Sequence, residues 1–497
     1  MSADFQFYFR PRGGSIQRDV SKAFFLTQDN WNDFGSKIQF ELSYVNSDLK
    51  RTEIGAIKIM RKIPYATTQI ITPTTEIPHE FSSLSSACIS LGQTTEYYTI
   101  LHRLLGREAG DALSALRDIA WEPALAADFE PFSIFRNAMM RENGARRARR
   151  FGRSLALGHP IQEKPSFEYI CDIEGADVPI ELEIDFQSED RIPGRISGII
   201  GRNAVGKTRF MAQLSADLAQ ISRVSAERLI SQEQRFPKGQ PLFTRVIAIS
   251  YSAFDKFKRP SADASSSYVY CGIRDDRGGL NHRSLNVAYN KNKARVRELE
   301  LEKIWAKHMQ SVLDDFGDLT EQMLADEIGG DAPSRIFDML SSGQAILCHF
   351  VTALLAWIQP TSLVLFDEPE THLHPNAVAS LFIVLSDVLH QFDSYAIVAT
   401  HSPVVIQEIP GKRVTVFSRT GNVTVAEQLS LESFGESVSE LTRHVFETIE
   451  VESLYKKVLK DLAQNLEAEE ILSLFENGLS LNAQAYLLAQ YGAEQAT

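Results

Sequence analysis

Eight residues constrain this chain more than any others: Gly201-Arg202-Asn203-Ala204-Val205-Gly206-Lys207-Thr208. They follow the apolar run Ile196-Ser197-Gly198-Ile199-Ile200, which reads as a buried strand. They precede a stretch where Phe210, Leu214, Leu218 and Ile221 recur at helical spacing. A strand, a glycine-bounded loop ending in Gly-Lys-Thr, and a helix form the phosphate-binding P-loop pattern in its required context. Gly201 and Gly206 let the backbone curl so that successive N–H groups converge on phosphate oxygens. A helix starting near Lys207 offers its positive end to the same oxygens. Lys207 reaches the β- and γ-phosphates, the Thr208 hydroxyl can ligate Mg²⁺, and Arg209 completes the stretch.

The chain has 497 residues, 44% of them hydrophobic, enough for a large core and two or three domains. No segment approaches the roughly eighteen uncharged apolar residues of a membrane-spanning helix, so no membrane is expected. The start, MSADFQFYFRPRGG, has an early acid and no sustained apolar run, so it does not read as a signal peptide. Cys88, Cys171, Cys271 and Cys348 are too scattered for a zinc site or a disulfide framework. A reducing, cytoplasmic setting is expected. With a net charge of −13, the chain does not coat nucleic acid through its overall field.

Strand and helix patterns alternate along the chain and predict an α/β fold with a mainly parallel core sheet. The expected domains are an N-terminal antiparallel β-lobe (1–79), a helical insertion (80–160) and a first ATPase-core part (161–290). A helical segment (291–335), a second core part (336–410) and a C-terminal hairpin and helical docking region (411–497) follow. A hairpin is predicted over 37–59. Another strand, at 178–186, is expected to return to the N-terminal sheet after the helical insertion. Further strands are expected at 245–254, 362–366 and 395–400, a charged helix at 294–316, and a hairpin with a Gly-Asn turn after 411.

Three more stretches carry chemistry. The strand Ser362–Phe366 runs into Asp367-Glu368, where Asp367 can hold Mg²⁺ through water and Glu368 can deprotonate an attacking water. Leu340-Ser341-Ser342-Gly343-Gln344 opens an apolar helix whose free N–H groups suit phosphate. The strand Ala396–Thr400 ends at His401, which can hydrogen-bond the γ-phosphate or the attacking water.

In this order the stretches resemble an ABC-type ATPase of the SMC/RecF/OLD branch. GRNAVGKT resembles Walker A, LSSGQ the ABC signature, LVLFDEPE Walker B with its catalytic glutamate, and ATHSP the switch-histidine motif. DEPETHLHP with ATHSP is similar to the OLD proteins and to the PtuA-type ATPases of Septu-like antiphage systems. The resemblance implies an ABC-type P-loop fold with the N-terminal hairpins on the ATP side. It implies ATP and Mg²⁺ as ligands, with catalysis by Glu368, His401 and Lys207. It also implies a homodimer or higher homo-oligomer in which Ser341, Ser342, Gly343 and Gln344 act on the partner's nucleotide. One departure is visible. The strand after the P-loop helix reads AISYSAFDKF, with Ser250, Ser252 and Asp255 where the family has a glutamine. Ser252 or a water is then the expected link to Mg²⁺, and slow hydrolysis is expected.

Fewer than about a hundred residues follow ATHSP, short for a catalytic domain of ordinary size. Glu467, Glu469 and Glu470 read as a solvated helix face. The expected output is therefore a separate effector such as a nuclease, in antiphage defence. A RecF/SMC-type repair or chromosome-maintenance ATPase and, further off, a transporter's ATP-binding subunit are the alternatives. The only dense basic run, Arg141–Leu155, offers Arg146, Arg147, Arg149 and Arg150 to DNA or RNA phosphates. Its other reading is a solvated face or a salt-bridge patch between protomers.

Overall fold

Alternating apolar residues near the amino terminus build a first layer. Strands β1 (Gln6–Arg10), β2 (Ala23–Gln28), β3 (Gln39–Val45), β4 (Arg51–Tyr65), β5 (Thr68–Ile71), β6 (Glu80–Phe81) and β7 (Cys88–Gly92) share one sheet. Its order is β5-β4-β3-β2-β1-β6, with β7 paired to β4. All pairings are antiparallel except β1 with β2. Phe7, Phe24, Phe40 and Ile57 are buried together with residues of helices α1 (Thr95–Leu105), α2 (Ala109–Ala115) and α3 (Asn143–Ala156). The expected hairpin is present, but its second strand runs for 15 residues. Cys88–Gly92, expected in a helical stretch, is a fully buried strand. A run that short gains more from a ladder on β4 than from one isolated helical turn.

This computed structural model describes residues 5–11, 20–33, 35–65, 68–161, 165–173, 175–187, 192–219, 227, 231, 234–252, 257, 267–272, 282–313, 340–446 and 454–494. Two compact units are present, 1–436 and 437–497.

The core of the first unit follows from the apolar strands found in the sequence. Among the described residues, strands β8 (Phe167–Cys171) and β9 (Ile180–Ile184) pair only with each other. The return of 178–186 to the N-terminal sheet is therefore not observed. The alternating residues Ile180, Leu182 and Ile184 are instead buried in the same cluster as helix α4 (Lys207–Leu218). A second sheet contains β10 (Ile196–Gly201), β11 (Val246–Ser250), β12 (Tyr268–Gly272), β13 (Leu363–Asp367), β14 (Tyr395–Thr400), β15 (Val414–Thr420) and β16 (Val423–Gln428). Its order is β12-β11-β13-β14-β10-β15-β16. Every pairing is parallel except the β15–β16 hairpin. The fold is thus the α/β class with a mainly parallel core sheet. The hairpin expected at the start of a docking region is the edge of this sheet, because β15 pairs with β10.

Helices α5 (His282–Glu298), α6 (Glu302–Leu313), α7 (Ser342–Trp357), α8 (Pro375–Gln391) and α9 (Pro403–Ile406) complete the core. Leu363 and Leu365 of β13 share a buried cluster with Phe210, Met211 and Leu214 of α4. Phe366 points the other way and stacks on Phe350 of α7, ring centroids 5.2 Å apart. Alternation along a strand therefore places α4 and α7 on opposite faces. Each such side chain contributes about 1.5–3 kcal/mol by leaving water.

The single helix expected over 294–316 is two. Glu300 lies between α5 and α6 with φ 56°, and the Leu301 N–H donates back to Val296 O at 3.0 Å. The turn lets α6 bury Trp305, whose indole N–H donates to Thr352 of α7 at 2.8 Å. Residues 314–316, Met339, Ile221 and 253–255 fall outside the described residues.

The basic run forms α3, and of Arg146, Arg147, Arg149 and Arg150 only Arg147 is buried. Arg147 is 5% exposed, its guanidinium donating to Leu242 O. This corrects its expected phosphate contact. Arg146 donates to Met140 O, Arg149 pairs with Glu130, and the exposed Arg150 lies over the Phe151 ring. Just before them, Arg141 is buried with Asp33 at 2.9 Å, and Asn143 donates to Leu218 O at 2.9 Å. Glu142 accepts from the N–H and hydroxyl of Ser267, both at 2.9 Å. Leu242 and Ser267 precede β11 and β12, so the N-terminal layer is anchored at the amino-end edge of the core sheet. The expected ATP-side position for the N-terminal hairpins is therefore corrected. The β-element packed on the P-loop helix is β8–β9, where Tyr169 meets Phe210 edge to face.

The second unit has helices α10 (Val438–Phe446), α11 (Leu454–Ala463), α12 (Ala468–Ser473) and α13 (Leu481–Glu494). Leu459, Ile471 and Leu487 form its small core. Glu467, Glu469 and Glu470 are exposed, and Glu470 caps α12 by accepting the Glu467 N–H at 3.1 Å. Among the described residues no helix is long and apolar enough to cross a membrane. All four cysteines are buried, and none forms a disulfide among the described residues.

Candidate functional site

Parallel strands bring their carboxyl ends to one edge, where open α/β sheets bind ligands. Here the registers align Ser250 with Asp367, Asp367 with Ala399, and Ile200 with Thr400. The three chemical stretches that end these strands are thereby gathered on one edge.

The loop 201–208 fits closely around itself. A Cβ on Gly201 would stand 2.3 Å from Phe417 O, so no side chain is tolerated there. Gly206 has φ 105° and Ala204 has φ 66°, left-handed values that turn the loop into α4. Arg202, Asn203, Ala204 and Arg209 are exposed, and Val205 is buried. The outer side of the loop is braced by the distant hairpin. Arg419 donates to Ala204 O at 3.2 Å and the Thr424 hydroxyl donates to Val205 O at 3.1 Å.

Lys207 is 5% exposed and donates to Gly201 O at 2.8 Å and Arg202 O at 3.1 Å. Burial pushes its ammonium below the usual lysine value, against the pull of Glu368, Asp367 and Glu370. The Thr208 hydroxyl donates to Asp367 Oδ2 at 2.9 Å, and Asp367 is fully buried. A hydroxyl and a carboxylate at that distance, beside a phosphate cradle, fit Mg²⁺, which takes few protein ligands and leaves the rest to water and phosphate. Among the described residues no cluster of three His, Cys, Asp or Glu could hold a metal by itself. Ser252 lies one step further out, its N–H donating to Ser250 Oγ at 3.3 Å. Ser250 is the serine in register with Asp367.

Glu368 has φ 50° and its N–H donates to Ala399 O at 2.7 Å. A left-handed non-glycine residue costs about 1–2 kcal/mol and is held here by the neighbouring strand. Its carboxylate is 3.3 Å from His401 Nδ1. Glu370, which sequence reasoning did not single out, is at the same 3.3 Å. It also accepts the Thr400 hydroxyl at 2.6 Å and the His401 N–H at 3.1 Å. The only sequence signal for it was the third acid of Asp-Glu-Pro-Glu.

Ser341 and Ser342 are exposed at the start of α7, and Gly343 and Gln344 are half-buried. Gln344 Oε1 accepts the Ser341 N–H at 2.9 Å and its hydroxyl at 2.6 Å, which fixes the helix start. A Cβ on Gly343 would lie 3.1 Å from His372 O, so the signature packs against the loop after Glu368.

The chain is similar in part to known proteins. A family model described as "AAA domain, putative AbiEii toxin, Type IV TA system" matches residues 272–407. That span includes the signature, Asp367-Glu368 and His401, and leaves out the 201–208 loop. Protein ea59 of Escherichia phage lambda is 27% identical over 518 aligned positions, covering 96% of each chain. Similar solved structures include cbiO1 from Clostridium perfringens, part of the ABC transporter complex cbiONQ. It is 15% identical, covers 63% of this chain and 100% of that one, and has a TM-score of 0.30. Another is an SmcHead bound to the C-winged helix domain of ScpA, 12% identical, covering 54% and 98%, with a TM-score of 0.30. Residues 272–407 thus resemble an AAA-type domain, and the 201–208 loop, Asp367-Glu368 and His401 lie on one edge of a parallel sheet.

Proposed function

We propose that this chain is an ATP-gated dimeric switch, acting in conflict between phages and their hosts by controlling a separate effector. One observation carries the switch. The exposed signature serines open a helix on the sheet face opposite α4, whereas Lys207, Thr208, Asp367, Glu368 and His401 crowd the strand ends. A site completed by Ser341, Ser342, Gly343 and Gln344 of a second copy accounts for that separation. The family model's link to a toxin–antitoxin system and a phage-encoded relative of matching length support the setting. The break at Glu300 gives no support to a long coiled-coil arm of SMC type.

The chemistry follows from the chain's own groups. N–H groups of the 201–208 loop and the Lys207 ammonium bind the β- and γ-phosphates of ATP. Thr208 and Asp367 would hold Mg²⁺, which would supply positive charge to offset that of the phosphates. Glu368 accepts a proton as a water oxygen bonds to the γ-phosphorus and the bridging oxygen leaves with ADP. His401 orients Glu368 and the water. With serine in place of the glutamine, turnover is slow. ATP bound between two copies closes them because it makes contacts only in the closed form.

Glu368→Gln is expected to retain ATP and accumulate closed dimers in size-exclusion chromatography. Lys207→Ala is expected to lose nucleotide affinity by at least tenfold. Wild-type hydrolysis by Glu368→Gln would remove the assigned base. A pull-down of tagged Glu368→Gln from its host with ATP and Mg²⁺ then tests the output. Recovery of a nuclease or other toxic effector supports the defence switch, and recovery of repair or chromosome proteins overturns it.

A further inference from the structure

Glu370 has no part in the steps above, yet it is held more firmly than the catalytic base. Its Oε1 accepts from two donors, the Thr400 hydroxyl at 2.6 Å and the His401 N–H at 3.1 Å, and lies 3.3 Å from His401 Nδ1. Both donors come from the end of β14, so the carboxylate is tied to the sheet. Its side chain is 11% exposed, against 24% for Glu368 and 43% for His401. Its second oxygen is buried without a partner. Glu368 Oε1 faces the same nitrogen at 3.3 Å and has no other side-chain partner among the described residues.

We infer that Glu370 is a positioning residue that fixes the ring of His401 while Glu368 moves between the ring and the attacking water. A nitrogen facing two carboxylate oxygens carries a proton, because those oxygens can only accept. Nδ1 is therefore the protonated position, and the tautomer is set by the acids below the ring. Glu368 cannot hold both His401 and a water at full strength. When it turns to water, the tethered Glu370 stays beside the Nδ1 proton and holds the ring. With Glu368 alone, the ring would lose its anchor at each turnover. The consequence for turnover rests on the ATPase reading, whereas the contact does not.

The test uses full-length protein, histidine-labelled with ¹⁵N and free of nucleotide. Two-bond proton–nitrogen spectra report the tautomer of His401, assigned by the signal lost in His401→Gln. Wild-type is expected to show the Nδ1-protonated pattern, and Glu370→Gln a mixture of tautomers. Thr400→Val removes the tether without changing side-chain shape. It is expected to move the same signal, and it serves if Glu370→Gln fails to fold. In steady-state hydrolysis both variants are expected to lose kcat about tenfold or more, with the KM for Mg-ATP within about twofold. An unchanged tautomer pattern in both variants would overturn the inference. So would a loss of kcat matched by an equal loss of nucleotide affinity. If wild-type hydrolyses no ATP, the ATPase reading fails, and the spectra still decide whether Glu370 holds the ring.

Discussion

At Gly201 a hydrogen fills the place that any side chain would need, with a carbonyl 2.3 Å beyond the missing Cβ. Gly201→Ala is expected to push the loop off the β15 backbone, costing about 1–3 kcal/mol of stability. Thermal melts with and without Mg-ATP check this, and the nucleotide-dependent rise in Tm should disappear. Residues such as Gly201, Lys207, Asp367 and Glu368 were legible in the sequence because each task needs one residue type at a fixed chain spacing. Glu370, Arg419 and Thr424 were not, because their partners lie 30, 215 and 219 positions away. Arg147 misled for the opposite reason: a basic helix looks the same in sequence whether its guanidinium groups meet phosphates or buried carbonyls.

Among the elements, α7 joins the signature to the sheet. His349 is buried in it, 3.2 Å from the Tyr251 hydroxyl at the end of β11, and burial lowers its pKa to about 4. The unfolded chain takes up that proton near pH 6.5. Between the two values the unfolded state binds more protons. Stability is therefore full above about pH 6.5 and is lost as pH falls toward 4. His349→Gln can still meet Tyr251 but does not titrate. From pH 7 to pH 5 it should lose about 2 kcal/mol less than wild-type does, measured by urea unfolding at both values. The strands of the core were legible as short apolar runs with turn signals beside them. The break at Glu300 was not, because helical periodicity persists on both sides and only the burial of Trp305 shows where the axis turns.

Across the first unit, buried charges tie the N-terminal layer together and one of them joins it to the core. Lys58 and Arg141 both pair with Asp33, at 2.7 and 2.9 Å, and Glu142 reaches Ser267 before β12. Asp33→Asn removes the buried carboxylate that Lys58 and Arg141 share, and is expected to cost about 3–5 kcal/mol. Denaturation at low and high salt checks it, and the loss should change little with ionic strength because the pair is shielded from solvent. Such long-range ties could not be read from local spacing. The strand order has a consequence for how the protein is made. The P-loop strand β10 is flanked by β14 and β15, and both are translated about 200 residues later. At about 5–20 residues per second, its apolar edges wait at least 10 seconds for their partners on the ribosome. A nascent chain therefore cannot close the 201–208 loop against its neighbours until the β15–β16 hairpin has emerged, and the waiting strand becomes a natural client for a chaperone.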